Sequence, residues 1–167
     1  MSIRIFSTGG TFDKEYDEIH GELYFKETHI PEILKTGRCT AHVDVRTLMM
    51  IDSTDMTDED RETIAQNCAK ALEDKIIVTH GTDTMVQTAH AIAGKKIDKI
   101  IVLTGAMIPY KFGSSDGFFN IGCALGFVQC LGPGVYIVMN GKCFTWDNCK
   151  KNLKTGIFEA MKEHEAE

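Results

Sequence analysis

The chain has 167 residues, of which 43% are hydrophobic and 25% are charged, and its formal net charge at pH 7 is −6. These values are typical of one folded globular domain and exclude a disordered or fibrous chain. The acidic balance, without any run of Lys or Arg, argues against nucleic-acid binding, because a phosphate backbone is bound by a basic surface.

The N-terminal half predicts strands and helices in alternation. Ile3 to Ser7 predicts a buried strand, and the polar residues 13–21 predict a mobile loop or an irregular hairpin. A helix is expected from Thr28 to Thr36, where a glycine follows. Ala41 to Met50 alternates at first and then becomes wholly apolar, which predicts a strand. Thr57 begins the next helix, because its hydroxyl can cap the first turn and acidic residues follow it.

The same alternation continues in the C-terminal half. Ile76 to Val78 and Ile100 to Leu103 predict buried strands, and a helix between them starts at Asp83 or Thr84 and ends at Gly94. The remaining predicted elements are a helix over Asp116 to Leu131 and a hairpin in which Val135 to Met139 and Lys142 to Trp146 flank the turn Asn140-Gly141. The charged tail after residue 162 is expected to fray.

This order of elements predicts an α/β fold in three layers, αβα, with a mostly parallel, Rossmann- or flavodoxin-like sheet between the helices. The helix over Asp116 to Leu131 is apolar almost all round, which predicts burial on more than one side and makes it a candidate subunit interface. The apolar stretch is shorter than the roughly 20 residues of a membrane-spanning helix, so no membrane association is expected.

The cysteines give no sign of a metal site. All six lack a C-x-x-C pair and an accompanying histidine spacing, so no zinc is expected. Met1 to Arg4 leads directly into the first strand, so no secretory leader is expected. Reduced thiols in a cytoplasmic protein are the simplest interpretation.

Two threonine-rich fragments follow strands of the predicted sheet. They are Ser7-Thr8-Gly9-Gly10-Thr11 and Thr79-His80-Gly81-Thr82-Asp83-Thr84, and Asp52-Ser53-Thr54-Asp55 follows a third strand. The carboxyl ends of parallel strands form the edge of an open α/β sheet at which ligands bind. Hydroxyls, a carboxylate and free backbone N–H groups on that edge indicate acyl-transfer chemistry.

Simpler interpretations of these residues remain open at this point. The glycines after the first strand can serve only to make a turn, and Asp83 can serve only to cap a helix. His80 lies beside the glycine of a tight turn, where a structural hydrogen bond is favoured over a role as general base. A threonine nucleophile needs a group that takes its proton, but spacing alone would select neither Lys151 nor Tyr16 for that role.

Six segments occur in the order in which they occur in a known family. They are Ser7 to Thr11, Asp52 to Met56, Thr79 to Thr84, Gly105-Ala106-Met107-Ile108-Pro109, Ser115-Asp116-Gly117-Phe118-Phe119-Asn120 and Val138-Met139-Asn140. In this respect the chain resembles the bacterial-type L-asparaginases. The resemblance covers nearly the whole chain but only the N-terminal domain of the usual two-domain enzyme. It implies that residues 1–167 form a single catalytic domain of this type, without a C-terminal domain.

The resemblance also implies a role for each matched residue. Thr11 would be the nucleophile, and Tyr16 would lie on a flap near it. Thr82, Asp83 and Lys151 would form a second group that moves protons. The residues implied to bind substrate are Gly10, Ser53, Thr54, Gly81, Thr82, Asp83 and Ala106, with Ser53 on the α-carboxylate and Asp83 on the α-amino group.

The expected function is hydrolysis of L-asparagine to L-aspartate and ammonia, an amidohydrolase reaction of class EC 3.5.1 that needs no metal or organic cofactor. Family analogy also implies a homodimer or homotetramer. One departure concerns Thr54, which stands where the family often has Gln or Ser. Two alternatives stay open: a glutaminase or other small-amide hydrolase, and a non-catalytic module that binds aspartate or asparagine.

Overall fold

The structure is a computed structural model that describes residues 2–162, so the tail expected to fray lies outside the described residues. The strands are β1 (Ile3–Gly9), β2 (Lys14–Asp17), β3 (Glu22–Phe25), β4 (Val43–Ile51), β5 (Lys75–Thr79), β6 (Ile100–Thr104), β7 (Gly134–Met139), β8 (Lys142–Thr145), β9 (Lys150–Lys151) and β10 (Phe158–Glu159). The α-helices are α1 (Ile30–Thr36), α2 (Asp58–Lys70), α3 (Met85–Ala93) and α4 (Gly117–Cys130).

The central sheet has six strands in the order β4-β1-β5-β6-β7-β8. Its first five strands are parallel, and β8 returns antiparallel to β7 through Asn140-Gly141. Numbered along the chain, the five parallel strands have the order 2-1-3-4-5 of flavodoxin-like folds, which reverses direction between β1 and β5. The predicted α/β fold with a mostly parallel sheet is therefore confirmed.

Helices cover both faces of this sheet. Ile76 and Ile77 are neighbours on β5, yet their side chains belong to two different cores because successive strand residues point to opposite faces. On one face the strands pack against α2 and α3, through residues such as Ile64 and Ala89. On the other face they pack against α1 and α4, through residues such as Ile33 and Ile121. The chain thus has the three predicted layers.

The segment after β1 is more regular than predicted. β2 and β3 pair as an antiparallel hairpin in continuous register, from Lys14 opposite Phe25 to Asp17 opposite Glu22. Its strands have no alternating apolar pattern that would have predicted them, because none of these residues is buried on either face of the hairpin. The ribbon of β9 and β10 was also missed, since each of its strands has only two residues.

Two helix starts were confirmed or corrected by their caps. Thr57 caps α2 as predicted, and its hydroxyl accepts the N–H of Asp60 while the Asp60 carboxylate accepts the N–H of Thr57. For α3, predicted to start at Asp83 or Thr84, the N-cap is Thr84, which makes no side-chain cap bond, so the alternative of a cap by Asp83 is excluded. The carboxylate of Asp83 instead accepts a hydrogen bond from Lys151.

Helix α4 is buried on one side only within the described chain. Asn120, Ile121 and Ala124 face the sheet, whereas Phe119 is 59% exposed. Within residues 2–162 no second layer covers α4, so burial of a second side of this helix stays a prediction. The expected subunit interface on α4 stays a prediction. None of the helices in the described residues has the length and apolarity needed to cross a membrane.

Candidate active site

A close contact between two glycines assembles the site. Gly10 follows β1 with φ +74°, and a Cβ on it would lie 2.4 Å from the backbone nitrogen of Gly81. A Cβ on Gly81 would in turn lie 2.5 Å from the Oγ of Ser53. Only glycine permits such separations. The loops after β1, β4 and β5 therefore meet at the carboxyl edge of the sheet, at the point where the strand order reverses.

Lys151 joins this edge from the C-terminal ribbon. Its Nζ donates hydrogen bonds to the Oγ1 of Thr82 at 2.8 Å and to the Oδ1 of Asp83 at 2.7 Å. The Lys151 side chain is 11% exposed and Thr82 is 5% exposed, whereas the Asp83 side chain is 53% exposed. Because the Thr82 hydroxyl accepts from the ammonium group, its own proton points elsewhere, toward the Sδ of Met107 at 3.4 Å. The group can therefore pass a proton through the threonine hydroxyl.

Thr11 begins a single turn of 3-10 helix, which ends at Asp13. The buried carboxylate of Asp13 holds this turn in place by hydrogen bonds. Asp13 is fully buried and accepts hydrogen bonds from Ser7 Oγ at 2.8 Å, from Thr28 Oγ1 at 3.1 Å and from the backbone N–H of His29 at 2.9 Å. Burial raises the pKa of this carboxyl, and the hydrogen bonds oppose that shift. Asp13 thus holds the turn that carries Thr11 against β1 and the start of α1.

Tyr16 lies on β2, where its side chain is 55% exposed. It lines an apolar cleft of about 540 Å³ together with Leu23 and Phe112. Among residues 2–162 its hydroxyl has no hydrogen-bond partner, so the structure does not join Tyr16 to the group formed by Thr82 and Lys151. The hairpin that carries it is tied to the loop after β4 by an ion pair of Lys14 with Asp52, which the sequence did not indicate.

The other residues predicted to bind substrate differ in how far they are exposed. The Ser53 hydroxyl is buried and has no hydrogen-bond partner among the described residues, while its neighbour Thr54 is exposed. Ala106 is 1% exposed, and its side chain packs in the core with α4. Ala106 thus presents almost no surface to a ligand in this structure.

His80 has a structural environment. The ring is fully buried, with Nδ1 at 2.8 Å from the carbonyl oxygen of Gly81 and Nε2 at 2.7 Å from the hydroxyl of Thr88. A carbonyl only accepts, so Nδ1 carries the proton and Nε2 accepts from Thr88. Burial lowers the pKa of His80 to about 4. The ring is thus neutral at pH 7, and both of its nitrogens are engaged in structural hydrogen bonds.

The loop of residues 105–109 depends on a residue to which the sequence assigned no role. The Asp116 carboxylate accepts the backbone N–H groups of Met107 and Ile108, each at 3.0 Å. This places Met107 beside Thr82. The only signal for Asp116 was its place in a segment that resembles the family.

Within residues 2–162, no three side chains of His, Cys, Asp or Glu lie close enough together to hold a metal ion. The side chains that hydrogen-bond to one another at this edge are the hydroxyl of Thr82, the ammonium group of Lys151 and the carboxylate of Asp83. The strand order places this protein in the class of flavodoxin-like α/β proteins, in which ligands generally bind at the switch point of the sheet.

Comparison with known proteins identifies the family. Residues 2–166 match the family described as asparaginase, N-terminal. The chain is 30% identical over 162 residues to an L-asparaginase of Thermococcus kodakarensis, in an alignment that covers 94% of this chain and 49% of that protein. It is 31% identical over 130 residues to a glutaminase-asparaginase of Pseudomonas fluorescens biotype A, with coverage of 72% and 36%.

The structure resembles that of the thermostable L-asparaginase from Thermococcus kodakarensis with a TM-score of 0.87 at 28% sequence identity, covering 98% of this chain and 52% of that one. The chain therefore belongs to the asparaginase family and corresponds to its N-terminal domain. It spans about half the length of the L-asparaginase relative and about a third of the glutaminase-asparaginase.

The close contact at Gly10 predicts that adding a methyl group to this residue destabilises the fold. Gly10→Ala adds a backbone clash to the strain of a positive φ, so we expect it to lower the free energy of unfolding by about 3 kcal/mol or more. Gly113→Ala is the matched control, because Gly113 has φ +80° and its Cβ would meet nothing within 4 Å. We expect that variant to lose only about 1 kcal/mol in urea denaturation. Equal losses in the two variants would contradict a steric role for Gly10.

The buried neutral His80 predicts acid lability. Below pH 6.5 the unfolded chain takes up a proton that the folded ring takes up only near pH 4. Stability is therefore lost as the pH falls through this window, by about 3 kcal/mol in total. His80→Gln should flatten the dependence of the unfolding free energy on pH between 6.5 and 4. The raised pKa of Asp13 makes the folded state more stable as the pH falls, which opposes the effect of His80. This contribution is the same in the original chain and in His80→Gln.

The control for this measurement is His42→Gln, since His42 is exposed and its ring makes no hydrogen bond or ion pair within residues 2–162. It should keep the pH dependence of the original chain. If His80→Gln and His42→Gln gave the same pH profile, burial of His80 would not be the cause.

Proposed function

We propose that this protein is an amidohydrolase that hydrolyses L-asparagine to L-aspartate and ammonia. The observation that carries the proposal is the group of Thr82, Asp83 and Lys151, placed beside the contact of Gly10 with Gly81 in a chain of the asparaginase family. A nearly buried ammonium group hydrogen-bonded to a threonine hydroxyl is an arrangement that moves protons at a reacting centre.

In the proposed reaction Thr11 is the nucleophile. Its oxygen attacks the carboxamide carbon of the substrate, and its proton passes through the Thr82 hydroxyl to Lys151, which acts as a neutral amine in this step, or to Tyr16 in its ionised form. Backbone N–H groups near Thr82 and Thr11 would hold the oxyanion of the tetrahedral intermediate. The intermediate collapses as ammonia leaves with a proton, and water then hydrolyses the acyl-threonine ester. The positions of Thr11 and Thr82 in the chain support a shared role in this reaction, because they directly follow Gly10 and Gly81, which are in contact.

The rest of the substrate would be bound at the same edge. The Ser53 hydroxyl is buried and without a partner in the described residues, so it is available to donate to the α-carboxylate. Asp83 uses Oδ1 for Lys151 and is half-exposed, which leaves Oδ2 for the α-ammonium group. Thr54 and the backbones of Gly81 and Ala106 would line the remaining surface.

Glutamine or another small amide is the second candidate substrate. The exposure of Asp83 and Tyr16 favours it, because the described part of the chain leaves the site open on that side. An additional methylene changes the fit by only about 1–3 kcal/mol, so the two substrates would be separated by a factor of about 10 to 200 in kcat/KM.

An ammonia-release assay on residues 1–167 with asparagine and glutamine tests the proposal directly. We expect saturable release, with the higher kcat/KM on asparagine. A higher kcat/KM on glutamine would identify glutamine, the second candidate, as the preferred substrate. Saturable asparagine binding without ammonia release would make the protein a binding module and would overturn both enzymatic proposals. That residues 1–167 alone form the whole catalytic domain is part of the proposal, and the same assay tests it.

The proposed roles predict the effects of single substitutions. Thr11→Ala should abolish ammonia release, and Lys151→Met should lower kcat by at least about 100-fold because the Thr82 hydroxyl loses its donor. Lys154→Met is the matched control, since it changes an exposed lysine of the same segment and should alter kcat by less than about twofold. Full activity of Thr11→Ala would show that Thr11 is not the nucleophile.

We also propose that the protein acts in the cytoplasm as a homodimer or homotetramer. All six cysteines are free, which supports a reducing compartment. The outer face of α4 supports an interface between copies, because Phe118 and Phe119 are exposed on a helix without any charged residue.

The proposed interface predicts the outcome of one measurement. Light scattering at micromolar concentration should give a mass of at least twice that of the chain, and Phe119→Glu should lower it to the mass of the monomer, since a buried charge without a partner is costly. Lys162→Glu, also a new acidic residue but outside α4, should leave the mass unchanged. A monomer in the original chain would contradict the proposal.

A further inference from the structure

A series of amide hydrogen bonds, here called the asparagine relay, connects α4 to the ribbon that carries Lys151. Asn120 is 1% exposed, and its Nδ2 donates to the carbonyl oxygen of Gly105 at 2.9 Å and to Asp116 at 3.0 Å. The Oδ1 of Asn120 accepts the backbone N–H of Asn140 at 3.2 Å. The Oδ1 of Asn140 accepts the backbone N–H of Phe158 at 2.9 Å.

The relay ends on the strand partner of Lys151. Phe158 lies directly opposite Lys151 in the pairing of β9 with β10, and its side chain is 1% exposed in the core. Each of these strands has only two residues. The hydrogen bonds between two such short strands are too few to fix the position of the ribbon. The place of Lys151 therefore depends on what fixes the backbone at Phe158. The N–H of Phe158 donates to Asn140 and its phenyl ring is buried, while Asn152 donates to Ile157 and Glu159 on either side of it.

The hairpin turn favours asparagine at position 140 but does not require it. Asn140 has φ +55°, and glycine adopts this left-handed conformation at least as readily as asparagine. The turn alone would thus be satisfied by glycine. The additional contribution of asparagine is its side-chain oxygen, which reaches across 18 residues of chain to Phe158.

We propose that Asn140 is a positioning residue for the proposed reaction, which holds Lys151 within hydrogen-bond distance of Thr82 by anchoring the ribbon at Phe158. Asn120 supports it by fixing the backbone of the turn. This role rests on the proposed function of Lys151. Asn140 acts through Phe158, and its own hydrogen bonds within residues 2–162 reach neither Thr82 nor Lys151.

Asn140→Gly is the decisive variant, because it removes the side-chain oxygen and leaves the backbone conformation of the turn accessible. We expect kcat to fall by about 10- to 100-fold, as for other small displacements of a reacting group, with a much smaller change in KM. Asn140→Asp keeps an acceptor for the N–H of Phe158 and a residue type that tolerates positive φ. It should restore kcat to within about threefold of the original value.

The matched control is Lys96→Gly. Lys96 has φ +52° in an exposed turn after α3, so this variant makes the same replacement at the same kind of backbone position without touching the relay. Its kcat should be unchanged. A loss of kcat in Lys96→Gly equal to that in Asn140→Gly would assign the effect to chain flexibility and overturn the proposal, as would an unchanged kcat in Asn140→Gly.

A second measurement does not require turnover. The ¹³Cε resonance of Lys151, assigned by its loss in Lys151→Arg, should move toward the position of exposed lysines in Asn140→Gly and stay in place in Lys96→Gly and Asn140→Asp. If the original chain released no ammonia from any amide, the proposed function would fail while this readout still decided the positioning role. An unmoved Lys151 resonance in Asn140→Gly would overturn the positioning role. Should Asn140→Gly fail to fold, Asn140→Ser removes the same amide oxygen and is expected to move the resonance in the same way.

Discussion

The arrangement of the site depends on one steric constraint, the absence of a Cβ atom at Gly10 and Gly81. The backbones of the loops after β1 and β5 approach so closely that a methyl group on Gly10 would overlap Gly81, and Gly81 leaves room for Ser53. This contact lies where the flavodoxin-like strand order reverses, the place at which two neighbouring loops diverge and leave a crevice. Thr11 and Thr82 each directly follow one of these glycines, so their backbones lie next to this contact.

The second requirement is a lysine that arrives from a distant part of the chain. Lys151 is nearly buried, and an ammonium group in such a place must be hydrogen-bonded and paired, which Thr82 and Asp83 accomplish. The asparagine relay provides the support that a two-residue ribbon lacks. Burial differs across the group, since Lys151 and Thr82 are covered while Asp83 is half-exposed. In the proposed reaction the covered end would move protons and the open end would bind the substrate.

The sequence indicated much of the candidate site but not all of its geometry. The hydroxyls at the ends of the strands follow from the apolar runs that precede them, and the resemblance to asparaginases selected Lys151. The capping role considered for Asp83 was wrong because a long-range partner, Lys151, takes its carboxylate. Asn140 was assigned only to the turn, and the ion pair of Lys14 with Asp52 carried no signal, because neither contact follows from local spacing.

The sequence by itself determined the alternation of elements, the three-layer class of fold and the edge on which the hydroxyls lie, since the periods of buried residues along strands and helices are local properties. The tertiary structure decided which of these residues meet. Lys151 reaches Thr82 across 69 positions, and the ribbon that carries it is bonded through Phe158 to Asn140, whose own backbone is bonded to Asn120. Such contacts are fixed by how separate elements pack against one sheet, and no pattern within a single element contains that information.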